Sequence, residues 1–522
     1  MKLSILLAAI LFLFSGGMAQ TFENHIASRV LYFDQNGLTS QEAAQTHVAV
    51  PASVFSYTSE GVVSYGGSFY QTYNAQYDAP SDIYVIKSSD GINWSSPVEA
   101  SDDIAMTSQF WPSMAVYGDP VNPRILVVWN DQRDGTNLSQ VRIATSSDGG
   151  QTFSPSIAIS AHSNAVITFA DCDADDNGNL YVVWGYQTLS NFLNETWFSK
   201  STDNGATWDV PKQIYSERQY SYPPAISARG NGELFVTVVA DQFFKTNLVA
   251  LHSTDGGANF ATRPQITNYD GSNGNEGPYR TYSMIEDGAN LHILYPFITN
   301  GELVSFGYSQ STDFGFSWSN PGIALDTTLL SYQNTVNLRN SVDIAISDQG
   351  ILYAVRADLH QDPAQLNYDV YLSRSADDGQ TWEEIMIVNE MPDIEEQAYA
   401  QLSVKSSGTL DTVLVTWLEQ RVVSGIEDEL SGLADNFKLK QNYPNPFNPS
   451  TTIAYSLNRA ASVSIAVYDN SGRRVANLEQ GMQPAGSYTT PFVAEELASG
   501  VYHYSLEIDG VSVQSCKMVL IK

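Results

Sequence analysis

The sequence predicts an all-β protein: a β-propeller of seven blades, with six as the alternative, followed by a small β-sandwich. Three observations carry that prediction. First, a string of the form Ser-x-Asp-x-Gly-x-Thr-aromatic recurs at 88–94 (one residue shorter), 146–153, 201–208, 253–260, 311–318 and 375–382. Asn or Ser sometimes replaces the Thr, and the Asp residues (Asp90, Asp148, Asp203, Asp255, Asp313 and Asp377) lie 52 to 64 residues apart. Second, a turn followed by a β-branched and aromatic run recurs in the same phase, as in "NPRILVVW" (122–129) and "DNGNLYVVW" (176–184). Third, composition and turn chemistry change near residue 437. A repeat this long, built from short strands, fits a four-stranded blade and not a helical solenoid.

Taken in chain order, the first element is "MKLSILLAAILFLFSGGMAQ". Lys2, an apolar run from Leu3 to Phe14 and small residues before Gln20 predict a secretory signal peptide over 1–19, cleaved after Ala19. No Cys follows the run, which argues against a lipoprotein signal. No other segment is apolar for long enough to cross a bilayer as a helix, so no transmembrane segment is expected in the mature chain.

Residues 20–424 form the predicted propeller. The apolar run appears seven times and the Asp string six times, so the last hairpin (399–418) lacks its outer strands. Residues 26–50, including "SRVLYFDQ", are expected to supply them and so close the ring, leaving no exposed sheet edge. Bulk composition agrees with a globular extracellular protein: 43% hydrophobic and 16% charged residues. With 57 acidic against 25 basic residues, the formal net charge is −32, which excludes nucleic acid as an expected partner. Two cysteines, Cys172 and Cys516, exclude a disulfide framework and read as small buried residues.

Six dispersed Asp strings cannot all be catalytic. In each, the carboxylate can accept backbone N–H groups of its own turn, the Gly permits a conformation that a Cβ disfavours, and the aromatic residue anchors the turn. The string resembles the Asp-box (BNR repeat) of sialidases and other propellers. That resemblance implies a turn between the third and fourth strands of each blade, with a structural role for the six Asp residues. It also directs attention to the opposite face, where the chain enters each blade.

Three entry connectors are rich in Arg and Tyr: 215–224, 268–283 and 331–343. Arg218, Arg280 and Arg339 are 62 and 59 residues apart, near one repeat each, and are expected to converge on the propeller mouth. Guanidinium forks match carboxylates, and sialidases clamp a substrate carboxylate with three arginines. The resemblance therefore implies Arg218, Arg280 and Arg339 as a clamp, with Tyr282 or Tyr332 as nucleophile beside Glu217 or Glu276. The chain lacks an Arg-Ile-Pro string near its N-terminus, and no acid/base Asp is identifiable. Asp171, Asp173 and Asp175 alternate in "ADCDADDNGN" and are candidate calcium ligands, against the reading as a hairpin turn. No cofactor other than calcium is suggested, and the histidines show no zinc-ligand spacing.

An acidic linker (425–436) precedes the last domain, 437–522. Alternating apolar runs with Asn-Ser-Gly and Asp-Gly turns predict a small Ig-like β-sandwich of about seven strands. "NYPNPFNP" (442–449), "VYDNSGR" (467–473), "SGVY" (499–502) and "KMVLIK" (517–522) resemble the type A C-terminal sorting domain of the type IX secretion system. The resemblance implies passage through the periplasm, contact of 437–522 with the secretion machinery, and release or display at the cell surface. The expected function is binding of extracellular glycan or protein at the propeller mouth. The alternatives are an exo-acting glycoside hydrolase of sialidase type and a non-catalytic surface scaffold.

Overall fold

In a computed structural model, the described residues are 21–34, 37–39, 45–50, 61–75, 82–102, 109–133, 139–160, 165–188, 193–218, 223–241, 246–267, 277–278, 282–299, 302–319, 323–324, 334–335, 342–359, 368–389, 396–423, 437–440, 442–457, 461–469, 474–484, 486–494, 497–508 and 511–522. The expected signal peptide, 1–19, and the expected linker, 425–436, lie outside them. The chain divides into a compact unit Glu23–Arg421 and a second that contains Val422–Lys522. Apart from one 3-10 turn, Gly230–Gly232, every described element is a β-strand.

Among the described residues of the first unit, seven antiparallel sheets follow one another. Their innermost strands are Val62–Tyr65, Gln109–Tyr117, Ala165–Ala174, Ala225–Arg229, Ser283–Asp287, Val342–Ile346 and Glu396–Ser407. Each touches the next, and the last touches the first, so the sheets form a closed propeller.

Packing explains the sequence of the second strands. In Arg124–Asp131, Ile125, Val127 and Trp129 pack with the first sheet, whereas Leu126 and Val128 pack toward the third. Both faces are buried, so the strand reads as a continuous apolar run. Each such side chain removed from water contributes roughly 1.5–3 kcal/mol.

The seventh sheet contains both ends of the ring. Glu396–Ser407 and Leu410–Val423 form its inner hairpin, and Thr21–Asp34 pairs beside them. Gln45–Val50 then pairs with Thr21–Asp34, from Asn24 opposite Val50 to Arg29 opposite Gln45. Ala27, Leu31 and Phe33 pack on the sixth and seventh sheets, while Val30 packs with Val62 and Phe69 of the first. The N-terminal strand thus covers what would be an exposed edge.

The Asp turns join third and fourth strands. In the third sheet Asp203 accepts the Ser201 hydroxyl at 2.8 Å, the Thr207 N–H at 2.8 Å and the Thr207 hydroxyl at 2.6 Å. Asn259, Ser317 and Thr381 serve Asp255, Asp313 and Asp377 in the same way. Any residue with a short side-chain donor suffices, which explains why Asn or Ser replaces Thr. Thr207 and Ser201 hold the Asp203 carboxyl down to about 2. At Asp148 burial is the largest single influence and pushes the carboxyl up, but the hydrogen bonds from Thr152, Ser146 and Gln151 together outweigh it and hold it at about 2.

The second unit contains two sheets: Phe437–Leu439, Ser450–Leu457 and Gly486–Val493 in one, and Arg474–Gln483, Ala461–Asp469, Gly500–Ile508 and Val511–Leu520 in the other. Ile453, Tyr455 and Phe492 meet Ile465, Val467, Tyr504 and Met518 in a common core. The proline-rich segment docks along the last strand. Phe447 is buried and exchanges backbone hydrogen bonds with Val519 and Ile521, and Asn445 accepts the Val519 N–H at 2.8 Å. The two ends of the sorting motif are therefore one structural piece.

Candidate functional site

Because the four strands of a sheet alternate in direction, the Asp turns and the first hairpin turns share one end of the ring. The entry connectors and the second-to-third loops share the other, the mouth. Inner strands begin at the mouth.

Three of them begin with a bulge: the seventh sheet pairs Ala398 with Leu418 and Gln401 with Thr416, and the bulges of the second and third sheets share a further feature. Phe110 pairs with Asn130 and Ser113 with Val128, so one residue of the second sheet is extra. Thr168 pairs with Gly185 and Ala170 with Trp184, which makes Phe169 the extra residue of the third. Both bulges put an aromatic residue in the left-handed region: Trp111 at φ 54 and Phe169 at φ 52. A bulky side chain there costs on the order of 1 kcal/mol or more, and such strain concentrates at functional positions. The result is a cluster: Trp111 and Phe169 are 4.6 Å apart between ring centroids, and Phe110 and Trp111 5.5 Å. All three side chains remain partly exposed.

An ion pair fixes the second-sheet side of this cluster. Asp131, fully buried beside Gln109, accepts Arg133 Nε and Nη2 at 2.9 Å each and the Trp129 indole N–H at 3.0 Å. Arg133 also reaches Asp102 at 2.9 Å. Burial would lower the Arg133 pKa, but Asp131 and Asp102 raise it, so the guanidinium stays charged.

Deeper along the axis, carboxylates tie the sheets together. Asp171 accepts Ser113 Oγ of the preceding inner strand at 2.7 Å and the Ile226 N–H of the following one at 2.9 Å. Asp343 repeats this with Ser283 Oγ at 2.7 Å and the Leu402 N–H at 2.9 Å. Burial pushes the Asp343 carboxyl up to about 7, against the pull of those donors. Burial likewise pushes Asp171 and Asp173 up. From the Asp343 bridge onward runs an axial cavity of about 350 Å³ bordered by all seven inner strands, with Asp173, Glu286 and Asp343 among its residues. Arg229 pairs with Glu286 at 2.8 Å, and burial raises that carboxyl to about 7.

The residues singled out in the sequence fall as follows. Arg280, Arg339, Tyr332 and Glu276 lie outside the described residues. Glu217 and Arg218 end the outermost strand Lys212–Arg218 of the third sheet, opposite Asn194 and Leu193, and not an inner strand. Tyr282 is 4% exposed, and its oxygen lies 2.6 Å and 2.7 Å from the Pro223 and Thr237 carbonyl oxygens. Burial raises its pKa well above the ordinary value, which opposes the nucleophile role expected of it.

The three alternating Asp residues weighed as calcium ligands are engaged in hydrogen bonds. Asp173 accepts the Ala174 and Ala228 N–H groups, and Asp175 closes its turn on Asn177, Asn179 and Tyr181. All six oxygens of Asp171, Asp173 and Asp175 accept hydrogen bonds. Among the described residues no His, Cys, Asp and Glu cluster is arranged to hold a metal ion. Sequence reasoning missed Phe110, Trp111 and Phe169; the signal was "QFWPS" (109–113), where a Pro interrupts an inner strand after two aromatics.

Residues 441–522 match the family described as secretion system C-terminal sorting domain. The chain therefore carries a type IX sorting signal, engages that secretion machinery, and is a secreted or cell-surface protein. No helix among the described residues is long and apolar enough to cross a membrane. No curated protein sequence matches the chain. Among solved structures it is similar to a Dyadobacter fermentans protein of unknown function (13% identity, 69% of this chain and 94% of that one, TM-score 0.37). It is also similar to the NanB sialidase of Streptococcus pneumoniae (11% identity, 70% and 67%, TM-score 0.34). A third is the α-L-arabinanase of Penicillium chrysogenum bound to arabinobiose (14% identity, 60% and 93%, TM-score 0.40). Values this low say nothing about the ligand of this chain.

Proposed function

We propose that the chain is an exported seven-bladed propeller, each sheet one blade, that holds extracellular glycan at its mouth. The reading includes a signal peptide at 1–19, an Asp-box propeller at 20–424, a linker at 425–436 and a sorting domain at 437–522. One observation carries it: Phe110, Trp111 and Phe169 form an aromatic platform at the mouth, held in strained backbone. Sugar rings present apolar C–H faces that stack on aromatic rings, and binding sites favour aromatic walls with a few fixed polar groups. Arg133, locked on Asp131, supports that platform without offering it a free charge.

The test is a glycan array followed by calorimetry with the full chain and Trp111→Ala. The variant should bind its glycan about tenfold more weakly or worse. Absence of any glycan binding by the parent protein would leave a protein ligand or a scaffold. The hydrolase alternative rests on the near-repeat spacing of Arg218, Arg280 and Arg339. Turnover of a fluorogenic sialoside that disappears in Arg280→Ala would replace the binding reading.

A further inference from the structure

A second recess lies at the other end of the ring. It is a cavity of about 260 Å³ against the Asp turn of the second sheet, bordered by Tyr117, Arg124, Ser147, Phe153 and Asn204 together with Thr145, Ser146, Thr152 and Ser154. Tyr117 ends the inner strand and pairs in the ladder with Arg124, which begins the next. Asn204 comes from the Asp turn of the third sheet, where it holds φ 59. The cavity is thus a wedge between two consecutive sheets.

Its lining is rich in donors and contains no carboxylate. Tyr117 is only 4% exposed and its ring belongs to the core, yet its hydroxyl has no hydrogen-bond partner among the described residues. The hydroxyl opens on the cavity and is not sealed in the core, so a ligand or water reaches it there. Burial raises the Tyr117 pKa, more than Arg124 lowers it, so the group is a donor at neutral pH. Arg124 makes no ion pair among the described residues, although acids outnumber bases 57 to 25 in the chain. The side chains of Ser147 and Asn204 are likewise unengaged among the described residues. Phe153 supplies an apolar wall.

We infer that this cavity binds a carboxylate-bearing sugar ring, a hexuronate. Arg124 receives the carboxylate, the Tyr117 hydroxyl donates to an oxygen of the same ligand, and Asn204 and Ser147 meet ring hydroxyls. The volume falls below the roughly 300 Å³ of ordinary ligand pockets, which restricts the occupant to one ring. The site is separate from the mouth and does not depend on it.

The test is calorimetric titration of the full chain carrying Trp111→Ala, which weakens binding at the mouth. The ligands are glucuronate, glucose as the neutral ring, acetate as the carboxylate without a ring, and a uronate oligosaccharide. Glucuronate should bind about tenfold tighter than glucose and than acetate, and weaken as salt is added. The oligosaccharide should bind no tighter than the single ring. Tyr117→Phe and Arg124→Gln should each cost about tenfold in glucuronate affinity. Tyr117→Phe keeps the packed ring, and Arg124 is exposed, so both variants should melt with the parent. Equal binding of glucuronate and glucose, equal binding of acetate, no glucuronate binding at tens of millimolar, or unchanged affinity in both variants overturns the assignment.

Discussion

Asp343 and Asp171 occupy the same register in two inner strands, and each bridges three consecutive sheets through one serine hydroxyl and one backbone N–H. The price is desolvation. For Asp343 burial raises the folded pKa to about 7, well above that of an unfolded carboxyl near 4. Folding therefore favours the protonated form, so its stabilising contribution is full below about pH 4 and is lost as pH rises through about 7. The melting temperature should be higher at pH 5 than at pH 8, and Asp343→Asn should flatten that slope; an identical slope in the variant would show that the general negative charge is responsible. Sequence reading weighed Asp171 as a calcium ligand because alternation looks the same for a metal loop and an inner strand. Only the neighbouring strands reveal where its oxygens go.

At the scale of elements, the Asp turn was legible almost atom by atom. A short side-chain donor at the Thr position, a Ser two residues before the Asp and a Gly two after it each have one local job, and local jobs leave local patterns. Gly205 shows the physical constraint. It holds φ 87, and a Cβ there would meet Thr145 Cγ2 of the preceding sheet at 2.7 Å. Gly408 has φ 63 but open space around it. Gly205→Ala should cost about 1–2 kcal/mol or more and Gly408→Ala about 1 kcal/mol, read from denaturant midpoints; equal costs would mean that the inter-sheet contact relaxes freely. Bulges were not legible. An extra residue at Trp111 or Phe169 changes pairing without changing composition, and the sign of φ is set by the partner strand.

At the scale of the whole molecule, the ring closes because Thr21–Asp34 pairs with Leu410–Val423, some four hundred residues away in sequence. The missing seventh Asp string predicted this closure, since a sheet short of outer strands must borrow them. The sorting domain is a separate unit whose docked proline segment and last strand depend on each other. Deleting 437–522 should leave the propeller in the periplasm, seen by cell fractionation; normal export of the truncated chain would refute the sorting role.

The sequence by itself determined the all-β class, the strand repeat, the Asp turns and the sorting domain. Each of these is written in residues close together in the chain, through strand periodicity, turn chemistry or a contiguous motif. Tertiary structure decided the rest. It placed Trp111 against Phe169, buried the Tyr282 hydroxyl against two backbone carbonyls, gave Asp171 to a neighbouring strand and left Tyr117 unpartnered beside Arg124. Apart from Tyr117 and Arg124, which face each other across one hairpin, these partners come from different sheets, and no local pattern records which donor a buried group will meet.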